Sequence, residues 1–370
     1  MLKPKKSGAC GEFFAVSREA WWRVCDLGLN AGIAYLVLAR GSGSDNQTTR
    51  WSCNSVERYA GLSRGRAKAA VQKLLEAKMI ECLLAESTVL APKQRPTYLL
   101  TSGLLQGLPA STITDRSKDE TPSSKDWIWL PNALVDGAAN ETPPLQLVRQ
   151  TSETLALRLL VELYHHQNLC EHGGIDSSVL SQTYNSENLG DADQFEWVRY
   201  DLAETYMGLP VECSALAGRD GLTAGPDDPH GLTDEVQSRC YKKLITLGLI
   251  EWVPHLFESA QMDAEVVYSF ETDGSSSAEQ SLGDKMSTLA LVLVNSKDRH
   301  HGTAQRSHTV LVPRHIEYAD LRGVARLRYR PRTKLTTAWF TENEKRCEKY
   351  FVAASKILDR VTFAESATSR

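Results

Sequence analysis

Residues 63–76 carry apolar side chains at Ala67, Ala70, Val71, Leu74 and Leu75, the spacing of one helical stripe. Ser63 stands where a hydroxyl can cap that helix. A shorter helical pattern through Val56, Arg58 and Tyr59 precedes it and ends at Gly61, the residue that most readily takes left-handed backbone. Met79 to Leu84 reads as a strand, and Pro96 to Leu100 as its hairpin partner. Upstream, Phe13 to Val16 reads as a short strand. Ser17 then caps a helix through Trp21, Trp22, Val24 and Leu27, and a second helix covers Ala31 to Arg40.

Residues 101–126 are rich in Ser, Thr, Pro and Gly and read as a polar linker. Beyond it the pattern starts again. Trp127 to Leu134 echoes Phe13 to Ala20, an apolar strand followed by a capped helix. Thr154 to Leu169 forms a strong amphipathic helix, Asp176 caps a short helix over residues 177–184, and Phe195 to Tyr206 reads as a further helix. Thr233 opens another helix, whose ending Lys243 to Glu251 parallels Lys73 to Glu81. Strands are expected at Ile250–Phe257, Ala264–Phe270, 287–295 and 309–313. Thr341 with Glu344 forms a capping box for a last helix reaching about Leu358.

Helix, helix, glycine turn, helix and hairpin over roughly residues 13–100 resemble the winged helix-turn-helix domain. The resemblance rests on Val56, Tyr59, Gly61, Leu62, Ser63, Ala67, Ala70, Leu74, Leu75, Met79 and Ile80. The chain departs from that pattern at Lys78, where many members place glycine. In general architecture the whole chain resembles winged-helix transcriptional regulators and the tandem winged-helix replication initiators of plasmids and phages. The resemblance implies duplex DNA binding, often as a homodimer. The expected fold is α+β and mainly helical: tandem winged helix-turn-helix units at 1–100 and 127–300, the second with an insertion at 185–232. A polar linker (101–126) joins them, and a basic strand-and-helix extension (301–370) follows.

Charge sharpens this picture. The net charge is −4, yet residues 1–100 carry +7, residues 101–300 carry −18 and residues 301–370 carry +7. Basic ends suit a polyanionic partner, and the acidic middle suits a basic protein partner. The eight cysteines form no Cys-x-x-Cys pair and read as reduced thiols of a cytoplasmic, nucleoid-associated protein. No run of about 18 apolar residues predicts a membrane span, and no apolar signal core follows the basic start.

The candidate chemistry is nucleic-acid recognition. Arg64, Arg66 and Lys68 open a helix whose macrodipole already places positive charge there, which costs a few tenths of a kcal/mol each at about 25 °C. A bound phosphate or guanine edge reverses that penalty. Ser63, Arg64, Gly65, Arg66, Lys68 and Gln72 are therefore the expected major-groove set, with Thr49 as a further phosphate donor and Lys93 and Arg95 at the wing. Arg326, Arg328, Arg330, Arg332 and Lys334, preceded by Arg322, are expected to form a cationic strand face clamping phosphates. The second helix, opening Thr233-Asp234-Glu235, suits DNA poorly, although Arg239, Lys242 and Lys243 leave room for a backbone contact. His165, His166, Cys170 and His172 cluster without a second ligand pair, so no metal site is expected. No phosphate loop, dinucleotide fingerprint or nucleophile elbow occurs, so neither cofactor nor catalysis is expected. The sequence thus points to a sequence-specific duplex DNA-binding protein, a transcriptional regulator, with a replication initiator and a partner-recruiting protein as alternatives.

Overall fold

A computed structural model describes residues 13–83, 96–101, 127–138, 141–208, 231–261, 263–269, 282–293, 307–330 and 333–368. The chain forms two compact units that alternate along the sequence. Unit 1 takes Met1–His166, Pro210–Ile250 and Tyr329–Pro331; unit 2 takes Gln167–Leu209, Glu251–Arg328 and Arg332–Arg370.

Unit 1 is helical around one apolar rod. Helix α2 (Leu29–Arg40) is buried at every position from Ala31 to Ala39. A helix that is apolar all round needs neighbours on all sides. They are α1 (Arg18–Asp26), α3 (Cys53–Ala60), α4 (Arg64–Glu76), α5 (Ala133–Asp136), α6 (Pro144–Gln150), α7 (Thr154–His165) and strand β1 (Phe13–Ser17). Ser17 caps α1, its Oγ accepting from the Ala20 N–H at 3.4 Å. A small sheet of order β2 (Thr48–Thr49), β4 (Tyr98–Leu100), β3 (Ile80–Cys82) follows the helices. The two echoing segments meet: β1 pairs antiparallel with β5 (Trp127–Pro131), Phe13 opposite Pro131 and Ser17 opposite Trp127. The two parallel helix endings also share a geometry. Lys78 (φ 55°) and Gly248 (φ 67°) are both left-handed, and the N–H groups of Met79 and Leu249 reach back to the carbonyls of Leu74 and Leu244. Lys78 thus takes the conformation that glycine favours without being glycine.

Helix α8 (Gly231–Thr246) packs on α7. There Glu153, just before α7, pairs with Lys243 and with Arg239 at 3.4 Å, and it accepts a contact from the Cys240 thiol at 3.2 Å. Two of the cations expected to leave room for DNA are therefore held by a carboxylate. Burial works to raise the pKa of Glu153, but Lys243 and Cys240 outweigh it and hold the carboxyl below its ordinary value.

Unit 2 overturns the expected fold class. In place of a second winged helix it holds a large curled sheet of six strands, antiparallel throughout. The order is β10 (Ser307–Pro313), β7 (Phe195–Met207), β6 (Leu180–Ala192), β11 (Asp320–Leu327), β8 (Ile250–Phe257), β9 (Val266–Ser269). Residues 180–207, expected as a capped helix and an insertion helix, form one long hairpin, Leu180 opposite Met207 and Ala192 opposite Phe195. The segment carries Tyr184, Phe195, Trp197, Tyr200 and Tyr206, aromatic side chains that pack well on a pleated surface. Conversely, Leu282–Leu293 is helix α9, not a strand. A short apolar run does not distinguish the two by period alone. The last helix, α10 (Lys334–Thr368), starts about two turns before the expected capping box, where the Thr333 hydroxyl accepts from the Thr336 N–H at 3.0 Å. Phe195, Tyr200, Leu256, Tyr268, Val310 and Leu321 of the sheet pack with Met286 of α9 and Cys347, Ala354 and Ile357 of α10.

Arg326 corrects the expected cationic strand face. It is 0% exposed, because β11 lies between β6 and β8 and residues 323–327 are all buried. Its Nη2 lies 2.9 Å from His255 Nε2, and its guanidinium sits 5.2 Å from the Phe340 ring. His255 Nδ1 donates to the Val253 carbonyl at 2.9 Å, so Nε2 accepts from Arg326 and from the Ser269 hydroxyl at 3.1 Å. Burial first, then the positive charge of Arg326 and the proximity of His172, hold the His255 pKa well below its ordinary value. The fold therefore requires neutral His255. The unfolded chain takes up a proton near pH 6.5, so this contribution is present above about pH 6.5 and is lost as pH falls below it. The urea midpoint is expected to decline between pH 7 and 5. In His255→Gln the decline is shallower; an identical profile in the two proteins counts against the assignment.

Candidate nucleic-acid interface

Helices α3 and α4 meet at a tight turn. Gly61 is left-handed (φ 63°, ψ 23°) and its N–H returns to the Glu57 carbonyl at 3.1 Å. Leu62 is buried and Ser63 takes extended backbone at the start of α4. Helix α4 buries Ala67, Ala70, Val71 and Leu74 and leaves Ser63, Arg64, Gly65, Arg66, Lys68, Gln72 and Lys73 exposed. The Ser63 side chain makes no cap bond and the first turn contains no acid. The free N–H groups of that turn and the three cations therefore face the same solvent. Among the described residues, Arg64, Arg66 and Lys68 make no ion pair with any carboxylate. Gln72 donates to Glu76 at 3.0 Å within the helix.

The helix divides the expected set. Arg64, Lys68 and Gln72 recur at four-residue steps and share one stripe, whereas Arg66, Ala69 and Lys73 share the next. Arg66 and Lys73 border a cavity of about 420 Å³ together with Arg149 and the start of α2. Exposed Arg50 and Arg58 add charge on the α3 side. There the Trp51 and Tyr59 rings stack at 4.6 Å and Arg58 lies 5.5 Å from the Tyr59 ring. Helix α6 braces the turn: Gln146 donates to the Tyr59 carbonyl at 2.8 Å, and a Cβ at Gly61 would stand 3.4 Å from Gln146 and 3.7 Å from Arg149. Sequence reasoning missed Lys73, Gln146 and Arg149. Lys73 was available as the seventh residue after Arg66, but α6 reaches the turn from over eighty residues away and left no local signal.

The other expected positions fare differently. Thr49 is fully buried, and its Oγ1 accepts from the Trp51 N–H at 3.1 Å, so it offers phosphate no surface. Lys93, Arg95 and Arg332 lie outside the described residues. Arg322 pairs with Asp320 at 2.7 Å, donates to the Ser259 and Gln261 carbonyls and covers the Phe257 ring. Arg328 and Lys334 are exposed and Arg330 is half-buried. With Arg326 buried and Arg322 engaged, the expected cationic face does not form. Among the described residues no group of three or more His, Cys, Asp or Glu side chains is arranged to hold a metal ion, and no helix is long and apolar enough to cross a membrane.

No protein-family profile, curated protein or solved structure matches the chain.

Gly61→Ala is expected to lower stability by about 1 kcal/mol or more through left-handed backbone. Gly61→Asn is expected to lower it less. Urea unfolding of the full chain, followed by tryptophan fluorescence, measures both; equal stability of Gly61→Ala and wild type contradicts the strain at this turn.

Proposed function

We propose that this chain binds double-stranded DNA through the first two turns of α4 and acts as a sequence-specific transcriptional regulator. One observation carries the reading: three exposed cations, without carboxylate partners among the described residues, stand at the uncapped start of a helix. Isolated, that arrangement is unfavourable, since positive side chains oppose the positive helix end. Beside a polyanion every contribution changes sign. The amide groups and Ser63 receive phosphate oxygens, Gly65 lets the backbone approach, and Arg64 with Lys68 reaches base edges or phosphates.

The role of each residue follows from its stripe. Arg64, Lys68 and Gln72 point along one line and are the base-reading candidates; Gln72 exchanges its Glu76 partner for an adenine edge. Arg66, on the other flank, is a backbone contact. A helix of thirteen residues is long enough to lie in a major groove.

Selection of binding sites from random duplex DNA tests the reading. Arg64→Ala/Lys68→Ala is expected to lose the selected motif and to weaken duplex binding at least tenfold. Its salt dependence should become shallower by about 0.9 for each phosphate contact removed. A palindromic motif fits a dimeric regulator, and direct repeats fit a replication initiator. Unchanged affinity and motif in the double variant would refute binding through α4.

A further inference from the structure

The cavity beside α4 has one sign of charge. Arg66 and Lys73 enter it from α4, Arg149 from the end of α6, and the backbone of Gly28 to Ala31 from the start of α2. Among the described residues no carboxylate lines it. None of the three cations forms an ion pair among the described residues. The Arg149 Nε is buried and, among the described residues, has no hydrogen-bond partner. A buried guanidinium N–H without an acceptor loses its hydration and gains nothing in return.

The start of α2 adds to the imbalance. Its cap is Gly28, which has no side chain to offer, and its first turn has no acid. Among the described residues the N–H groups of Leu29, Asn30 and Ala31 have no acceptor, the first return bond being Gly32 N–H to the Gly28 carbonyl at 3.0 Å. The cavity thus gathers three full positive charges, one buried orphan donor and a set of amide donors. An oxyanion satisfies the donors and balances the charge together; a neutral acceptor satisfies donors but leaves the charge unbalanced, and a cation does neither.

We infer that this cavity is a phosphate-binding site and that its phosphate belongs to the DNA backbone beside the reading helix. The inference rests on the proposed DNA binding for the source of the phosphate, but not for the site. Arg66 and Lys73 lie on the flank of α4 away from Arg64 and Lys68, so a backbone phosphate held there fixes the rotation of α4 about its own axis. Arg149 comes from α6, which also holds the α3–α4 turn through Gln146. The phosphate clamp and the brace of the reading helix are therefore one element.

Two measurements on the full chain test this, each with wild type, Arg149→Gln and Lys73→Gln. In the first, inorganic phosphate is titrated while the amide signals of Leu29, Asn30 and Ala31 and the Arg149 Nε–H signal are followed by NMR. Saturable shifts are expected in wild type and their loss in both variants. In the second, duplex binding is followed across a salt series. Each variant is expected to bind every duplex several-fold more weakly, with the salt slope reduced by about 0.9 and the selected motif unchanged. Phosphate shifts with an unchanged duplex slope would overturn the backbone source and assign the site to a free phosphate. Shifts at scattered surface residues alone, or none, would overturn the site itself. If the chain binds no duplex at all, the first measurement still decides the site, and only the DNA reading falls.

Discussion

The burial of α2 governs unit 1. From Ala31 to Ala39 no side of this helix meets water, so the surrounding helices and β1 must each present an apolar stripe to it. That requirement fixes the rotation of α4: Ala67, Ala70, Val71 and Leu74 turn inward, and the polar stripes are left wherever geometry puts them. Burial also confines the polar chemistry of α2 to its ends. At one end Gly28 leaves bare amides beside three cations. At the other, Trp51 stands so close to Gly41 that an added Cβ would lie 2.1 Å from its ring, and Arg40, 5.8 Å from that ring, pairs with Asp136 at 2.7 Å. The candidate interface is thus a by-product of core packing: the same contacts that sink α2 aim α4.

Local signals were legible where one residue determines one conformation. Gly61 ends α3, Ser17 caps α1, and the stripe through Ala67 and Leu74 is buried. The echo between Phe13–Ala20 and Trp127–Leu134 was legible too, although the sequence could not say that the two segments pair with each other. Unit 2 was misread because its strands pair across long separations. Asp320–Leu327 lies between Leu180–Ala192 and Ile250–Phe257, and nothing local announces either neighbour. The consequence reached the site residues. Arg326 reads as exposed when Arg326, Arg328 and Arg330 are taken as one cationic strand face, but on an inner strand it is sealed against His255 and Phe340. Of the candidate cations, those on a self-sufficient helix were placed well, and those on a strand were not.

Charge is handled in contrasting ways within unit 1. In unit 1, Glu162 is buried beneath Arg18 at 3.0 Å and also accepts from the Trp22 indole N–H, while Glu153 gathers Lys243 and Arg239. A buried carboxylate that lost these partners would keep its desolvation cost, so such pairs fix geometry more than they add stability. At the start of α4 the opposite holds: among the described residues Arg64, Arg66 and Lys68 pair with no carboxylate. Glu76, four residues beyond Gln72 on the same stripe, accepts from Gln72 and, among the described residues, not from a cation.

Unit 1 ends its contiguous run at His166, resumes at Pro210–Ile250 and takes three more residues at Tyr329–Pro331. During synthesis, then, the helix that carries Lys243 and Cys240 emerges only after the hairpin of unit 2, and Tyr329, whose backbone carbonyl accepts the Tyr164 hydroxyl at 2.5 Å, emerges near the end. Neither unit can be completed before most of the chain has left the ribosome. Unit 1 has all its segments only at residue 331 and unit 2 only with the helix beyond it, so a chain stopped short of residue 331 leaves both unfinished.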